Sequence, residues 1–188
     1  MNPIKNLKNS VLEFKSIYAL AGIAMLLALR VVLGLFANAT LAIFGGNVKI
    51  TPSLFALTTA AAMFGPFPAA LVGGLGDVLS FFLAPAGGAY FPGFTISGVL
   101  TGLIYGFALY KNQVTLPRVI IAWFINMLVV ETFLAAYWLW TLNGYTADYS
   151  VYLIWRFVSQ GIKCVPDILL IYFIGKLTAK IKIQPKKQ

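Results

Sequence analysis

Long apolar stretches alternate with short polar connections along this chain. Six such stretches cover roughly residues 17–36, 50–64, 67–84, 93–110, 117–140 and 151–175. Each approaches the ~20 residues that a helix needs to cross a bilayer. Pro52 begins the short second stretch, and Gly65, Pro66 and Pro68 separate it from the third, which favours a tight helical hairpin. The pattern predicts an all-α polytopic membrane protein, a bundle of six transmembrane helices.

Composition supports a membrane setting for the whole chain. Of 188 residues, 60% are hydrophobic and only 10% are charged, and the mean hydropathy is +0.87. We expect one domain, residues 1–188. Its first stretch is too long for a secretory signal peptide and lacks a small-residue cleavage site, so it is predicted to remain as a helix. Residues 1–16 are predicted to be a cytoplasmic or interfacial segment, and residues 176–188 a basic cytoplasmic tail.

The distribution of Lys and Arg predicts the orientation. Outside the spans they concentrate at both termini and in the fourth connection, which holds Lys111 and Arg118, whereas the alternate connections hold only Lys49. By the positive-inside rule both termini are cytoplasmic, in a multi-pass protein of the cell membrane. Topology and anionic lipid in the bilayer then account for the net charge of +9, and no nucleic-acid partner is required.

Missing residue types exclude several kinds of chemistry. The chain has no His and one Cys, Cys164, so zinc-protease helices, His-based triads and most transition-metal sites cannot be built. We expect no enzymatic activity, no metal and no cofactor. A phosphate-binding P-loop is absent as well, so the energy for any uphill transport must come from a partner.

One polar stripe interrupts the sixth apolar stretch. Arg156, Gln160, Lys163 and Asp167 recur at helical spacing on one face. Such side chains are costly in hydrocarbon, so they should face a protein interior or a water-filled cavity. Lys163 and Asp167 could form a structural i, i+4 pair, but the stripe extends two turns beyond that pair. A ligand site is the preferred interpretation.

Three further charges fall inside predicted spans: Arg30, Asp77 and Glu131. With the three charges of the stripe they give three positive and three negative groups, which could pair and leave a neutral interior. Pairing alone and ligand binding both remain open for each of these residues.

Small residues form two stripes of their own. Gly98, Gly102 and Gly106 recur every four residues, and Ala24 and Ala28 form a similar pair in the first stretch. Small residues let another helix approach closely. Each stripe could be an intramolecular seam or a docking face for another subunit.

Aromatic residues cluster in and near the third connection. Phe91 and Phe94 lie in an uncharged Gly- and Pro-rich segment, and Trp138 lies near the external end of the fifth stretch. They could stack on a planar ligand or form an interfacial aromatic belt.

These residues carry a resemblance to a known family. The segments concerned are residues 24–34, 64–66, 73–77, 90–98 and 102–106, above all Tyr-Phe-Pro-Gly-Phe-Thr-Ile-Ser-Gly at 90–98. They resemble the S components of energy-coupling factor (ECF) vitamin transporters, most closely the folate branch. The similarity runs from about residue 18 to residue 175.

The resemblance implies a six-helix substrate-binding subunit of an ECF-type ABC importer. Such a subunit binds a vitamin from outside and associates with a transmembrane T component and two ATPases. Ala24 and Ala28 match the family's docking motif for the T component. The first and third external connections, with the outer halves of the fourth to sixth helices, would form the pocket.

Within this family we expect a folate or related pterin as ligand. Phe91, Phe94 or Trp138 would stack on the flat ring system. The cations Arg156 and Lys163, with Arg30 as a further candidate, would meet anionic or carbonyl groups. Asp167 or Glu131 would accept hydrogen bonds from the amino-pyrimidinone edge.

Acidic residues keep a second ligand open. Asp167 after Pro166, together with Glu131, leaves room for a ligand with a cationic amine, such as queuine or queuosine, and another vitamin also remains open within the same transporter class. From other classes, a non-transporting membrane scaffold and a lipid-modifying membrane enzyme remain as alternatives.

Overall fold

A computed structural model of the protein describes residues 3–36, 40–43, 46–49, 52–83, 90–146 and 148–180. The elements in chain order are α1 (Pro3–Leu12), α2 (Ile17–Phe36), β1 (Thr40–Ile43), β2 (Gly46–Lys49), α3 (Ser53–Phe64), α4 (Pro66–Leu83), α5 (Pro92–Leu109), α6 (Leu116–Asn126), α7 (Ala135–Leu142) and α8 (Tyr149–Lys180). A 3-10 turn, Glu13–Lys15, follows α1, and a π-helical stretch, Met127–Leu134, joins α6 to α7.

Helices of membrane-spanning length dominate the described part of the chain. Five segments are long and apolar enough to cross a bilayer: Ile17–Leu35, Pro66–Leu83, Pro92–Leu109, Leu116–Leu142 and Tyr149–Ala179. The remaining apolar helix, α3, has 12 residues and reaches only about 18 Å, short of the ~30 Å hydrocarbon core. The all-α membrane class is therefore confirmed, with five full-length spans and one short apolar helix where the sequence predicts six spans.

A short β-hairpin between α2 and α3 was not predicted. Strands β1 and β2 pair antiparallel, from Thr40 opposite Lys49 to Ile43 opposite Gly46. Four-residue strands give too few alternating positions for a clear sequence signal. We call the end of the bundle that carries this connection the hairpin end.

The glycine stripe of α5 is a packing seam within the chain. Helices α4 and α5 make the most extensive contact between any two elements described. A Cβ atom on Gly98 would meet the backbone of Gly73, one on Gly102 the backbone of Ala69, and one on Gly106 the backbone of Pro66. Only glycine allows the two backbones to lie this close. The intramolecular alternative is thus the observed one.

Buried apolar side chains close the opposite end of the bundle. Phe64, Leu109 and Val119 come from the helix ends farthest from the hairpin and belong to one core cluster. Helix α1 packs against α4 there, and Ser10 Oγ accepts a hydrogen bond of 3.0 Å from the Phe67 backbone N–H. We call this the closed end.

Both predicted terminal segments are partly helical. The N-terminal segment predicted for residues 1–16 contains α1, which is held to the bundle through Ser10 and through an edge-on contact of Phe14 with Phe67. At the other terminus α8 continues to Lys180, so its end lies five residues beyond the predicted boundary at residue 175. Lys176, exposed, still belongs to this helix.

Candidate ligand-binding site

A cavity of about 350 Å³ lies inside the bundle, toward the hairpin end. Its walls come from the last part of α2, the first turns of α3, the second half of α4, α5 from Phe94 to Tyr105, the α6–α7 span and α8. The volume lies near the lower limit of the ~300–1,000 Å³ typical of small-molecule sites. The lining residues are Arg30, Ser53, Leu54, Leu57, Asp77, Phe94, Ser97, Gly98, Thr101, Tyr105, Trp123, Asn126, Met127, Val130, Glu131, Ala135, Arg156, Gln160, Lys163 and Asp167.

All six charged residues that the sequence places within the spans line this cavity. They come from four spans, and they are Arg30, Asp77, Glu131, Arg156, Lys163 and Asp167. Three positive and three negative groups balance, which is the arrangement that hydrocarbon surroundings require. Because they surround a void instead of filling it, the same groups can exchange partners with a polar ligand.

The first polar cluster joins the α6–α7 span to α8. Gln160 Nε2 donates a hydrogen bond of 2.9 Å to Glu131 Oε2, and Arg156 Nη1 lies 3.9 Å from the same oxygen. Glu131 belongs to the π-helical stretch, a local widening that often marks functional sites. Arg156 Nε is buried and has no hydrogen-bond partner among the described residues. One donor of the guanidinium is therefore unpaired within the described part of the chain.

A second cluster lies deeper along α8. Lys163 and Asp167 are one helical turn apart and attract each other electrostatically. The indole of Trp123, a buried residue of α6, lies within hydrogen-bonding reach of the Asp167 carboxylate. Lys163 and Asp167 thus attract each other across one turn of α8 without the close ion-pair contact that the sequence allows, and Trp123 of α6 lies next to the Asp167 carboxylate.

A third cluster forms the opposite wall. Thr95 Oγ1 donates a hydrogen bond of 2.8 Å to Asp77 Oδ2, and the Tyr90 and Thr95 hydroxyl oxygens lie 2.6 Å apart. The Arg30 side chain crosses α4 over Gly76, where a Cβ atom would collide with it. Arg30 and Asp77 attract each other electrostatically. Asp77 and Thr95 were not among the predicted site residues, although Asp77 was counted among the charges inside the spans.

The predicted aromatic residues divide between the cavity and the layer next to it. Phe94 lines the cavity. Phe91 and Trp138 pack on each other with ring centroids 5.6 Å apart, and Trp138 Nε1 donates a hydrogen bond of 3.1 Å to Ser97 Oγ, a lining residue. Stacking of Phe91 or Trp138 on a ligand stays a prediction, and in this structure their rings contact neighbouring side chains.

Neutral polar residues of the cavity were missed by the sequence analysis. Thr101 and Tyr105 of α5 and Asn126 of α6 are all buried and all line it. Their only signal in the sequence is a polar residue within an apolar stretch, and many such residues are merely structural. These three residues come together because α5 and α6 pack in the bundle, and the pattern along one helix does not predict which helices pack together.

The two alanines of the predicted docking motif lie away from the cavity. Ala24 and Ala28 are exposed on α2, next to the exposed Met25. The buried residues Ile23 and Val31 mark the face of α2 that packs on the bundle. Ala24 and Ala28 thus lie on a face open to lipid or to another protein.

The acidic side chains of the cavity do not form a metal centre within the described part of the chain. In the described ranges no three His, Cys, Asp or Glu residues cluster as metal ligands would. The acids of the cavity instead contact amide, hydroxyl, indole or cationic partners. Its donor set fits an organic ligand with both hydrogen-bond donors and charged groups.

A helical membrane bundle with a closed end and a charged cavity defines a membrane-embedded binding protein. Residues 19–178 match the family described as ECF transporter, substrate-specific component, and the chain belongs to this family. It is therefore a multi-pass, non-enzymatic substrate-binding component, as the resemblance in its sequence indicated.

Two relatives extend this comparison. The chain is 32% identical over 139 residues to a folate transporter, FolT, of Clostridium novyi (strain NT), and the match covers 74% of this chain and 79% of the relative. It is also similar to a solved structure described as FolT bound with folic acid. That match has a TM-score of 0.71 and 26% identity, and covers 85% of this chain and 92% of the other.

Proposed function

We propose that this protein captures folate or a closely related pterin from outside the cell for ATP-driven uptake. The observation that carries the proposal is the cavity, which gathers all six intramembrane charges with Phe94 and Trp123. A pterin supplies a flat ring and a donor-rich edge, and its glutamate supplies carboxylates. The similarity to FolT proteins, one of them described with folic acid, supports the choice of ligand.

Each class of lining residue has a matching group on folate. Asp167 or Glu131 accepts hydrogen bonds from the 2-amino group of the ring, since ionised carboxylates only accept. Arg156, Lys163 and Arg30 neutralise carboxylates and bind carbonyl oxygens. Gln160 holds Glu131 in place, and the aromatic faces of Phe94 and Trp123 flank the ring.

Queuine is the second candidate ligand. It carries a guanine-like edge that the same carboxylates can bind, together with a cationic amine. Three acids line the cavity, Asp77, Glu131 and Asp167, so an amine can find a carboxylate partner there. Family membership removes the lipid-modifying enzyme from consideration.

The orientation and the partners follow from the same proposal. The hairpin end faces outward and both termini face the cytoplasm, because Lys and Arg concentrate at the closed end. A transmembrane T component and two ATPases supply the energy. The exposed Ala24 and Ala28 face of α2 is the proposed docking surface for the T component, since small residues permit close helix packing.

A comparative titration tests the choice of ligand. Purified protein is titrated with folic acid, a reduced folate and queuine, and tryptophan fluorescence is followed. We expect saturable quenching by the folates at a 1:1 ratio and weaker or no quenching by queuine. Tight binding of queuine with no response to folates would contradict the folate proposal and support the second candidate.

Quenching should report mainly on Trp123. Of the four tryptophans, Trp123 lines the cavity, whereas Trp155 is 41% exposed on α8. We expect Trp123→Phe to lose most of the quenching while the Kd, measured by calorimetry, rises less than ~10-fold. Trp155→Phe is the matched control and should keep the full response. Loss of quenching in the Trp155 variant instead would place the ligand elsewhere.

Docking through α2 is tested by co-purification. Ala24→Trp or Ala28→Trp places a large ring on the exposed face, so the T component should no longer co-purify while the Kd for folic acid stays within about threefold. Ile121→Trp, at a position on α6 that is 60% exposed, is the control and should leave the complex intact. Intact complexes in both alanine variants would exclude this surface.

A further inference from the structure

Asn126, a residue that lines the cavity, has a hydrogen-bond acceptor without a partner among the described residues. The residue ends α6, lines the cavity and is only 5% exposed. Its Oδ1 atom is buried and has no hydrogen-bond partner in the described part of the chain. Buried polar groups are nearly always hydrogen-bonded, so such an atom in a ligand cavity calls for a partner.

The amide of Asn126 has a polar neighbour on α5. Its side chain lies within hydrogen-bonding reach of the Tyr105 hydroxyl, and Tyr105 is 1% exposed. One part of the amide therefore approaches a hydroxyl of α5, while Oδ1 has no partner in the described part of the chain.

A second acceptor is close by. Asn126 lies three residues after Trp123, so both are on the same face of α6, and the Trp123 indole reaches the Asp167 carboxylate. Asp167 also acts electrostatically on Tyr105, the neighbour of Asn126. Asn126 and Asp167 thus both line the cavity and share Tyr105 as a neighbour.

We propose that Asn126 is a specificity-determining residue whose Oδ1 accepts the ring N–H of the ligand beside the amino group bound by Asp167. The inference rests on the proposed function and deepens it. Two adjacent acceptors match two adjacent donors, a lactam N–H and an exocyclic amine. Pterins and 7-deazaguanines such as queuine share this edge, so Asn126 selects the 2-amino-4-oxopyrimidine class.

A 4-amino analogue of folic acid carries a hydrogen-bond acceptor at the ring nitrogen where folic acid carries a donor. In aminopterin the lactam of folic acid is replaced by an amidine, so the ring nitrogen has a lone pair and no hydrogen. That lone pair would face the Asn126 oxygen, and two acceptors repel each other. A site that accepts a hydrogen bond from this ring nitrogen should therefore bind aminopterin more weakly than folic acid.

The test compares folic acid and aminopterin in calorimetric titrations of the wild-type protein and Asn126→Leu. Wild type should bind folic acid at least ~10-fold more tightly than aminopterin, and the leucine variant should lose about 10-fold or more for folic acid. Its affinity for aminopterin should change less than about threefold. Queuine, titrated in parallel, should follow folic acid if it binds.

Thr132→Val is the matched control. Thr132 Oγ1 is also buried without a partner among the described residues, but Thr132 is not among the lining residues. Removing it should leave both affinities unchanged. Thr132→Val removes an unpaired polar group and should not lower the melting temperature of the ligand-free protein. Asn126→Leu also leaves the buried Tyr105 hydroxyl without a neighbour, so its melting temperature is compared with that of the double variant Tyr105→Phe with Asn126→Leu. The double variant removes both the amide and the hydroxyl beside it. It replaces Asn126→Leu in the titrations if the single variant folds poorly.

Three results would overturn the inference. The first is folic acid affinity in Asn126→Leu within about threefold of wild type. The second is a fall of more than about 5 °C in the melting temperature of both Asn126 variants, which assigns the residue a structural role. The third is a wild-type protein that binds neither folic acid nor queuine. This third result would contradict the proposed function as well, whereas the first two contradict only the role of Asn126.

Discussion

Replacing Arg156 with alanine is expected to raise the Kd for folic acid about 100-fold while the protein still folds. Arg156 contributes a guanidinium to the cavity wall, and its one ion pair within the described ranges, with Glu131, is long at 3.9 Å. Its Nε has no partner among the described residues. Removing the cation deletes a charge-assisted donor and leaves the negative Glu131 to repel the ligand's carboxylates.

Arg118→Ala is the matched control for Arg156. Arg118 lies in the first turn of α6, where its guanidinium donates only to the Gln113 carbonyl oxygen among the described partners. Its loss removes the same charge from the closed end, and the Kd should stay within about threefold. Calorimetry gives both affinities, and circular dichroism confirms the helical content. Unchanged affinity in the Arg156 variant would remove this residue from the binding site.

Introducing valine at Gly102 should destabilise the protein by about 3 kcal/mol or more. The first side-chain atom would collide with the backbone of Ala69 and Ala70. Backbone atoms in a packed helix pair cannot move aside as the end of a flexible side chain can. The cavity should be lost with the seam, since α4 and α5 supply Asp77, Phe94 and Thr101 to its walls.

Gly161→Ala tests whether this effect belongs to the seam or to glycine replacement in general. Gly161 lies within α8, and a Cβ atom there meets nothing within 4 Å. Alanine favours a helix over glycine by about 0.5–1 kcal/mol, so this variant should be as stable as wild type or slightly more so. Thermal unfolding in detergent measures both. A stable Gly102→Val protein would contradict the observed contact between α4 and α5.

Periodicity predicted the α8 wall of the cavity well. Arg156, Gln160, Lys163 and Asp167 follow helical spacing, and charged groups in hydrocarbon need a polar surrounding, so one helix was enough to place them together. All four line the cavity. Arg30 and Glu131 also line the cavity. They could be predicted in the same way, because the cost of burying a charge in hydrocarbon applies to every span.

Contacts between helices could not be predicted in the same way. The path of Arg30 over Gly76 and the hydrogen bond from Thr95 to Asp77 depend on how α2, α4 and α5 pack. Asn126 directly precedes a π-helical stretch, where the residue spacing departs from the 3.6 per turn on which face assignments rest. A single neutral amide also costs less to bury than a charge, so its signal is weak.

The position of the ligand and the side from which it enters can be measured together. Ser53 lies at the hairpin end of α3 and lines the cavity, and Cys164 is the one cysteine of the chain. In a Cys164→Ser protein, Ser53→Cys provides a single thiol at the cavity wall, and exposed Asn143→Cys provides one between α7 and α8. A membrane-impermeant maleimide applied to intact cells should label both thiols.

Folic acid should protect the cysteine at position 53 from this reagent and leave the one at position 143 reactive. That result would locate the ligand in the charged cavity and its entrance on the outer face of the membrane. Equal labelling at position 53 with and without saturating folic acid, or labelling only from the cytoplasmic side, would contradict the account.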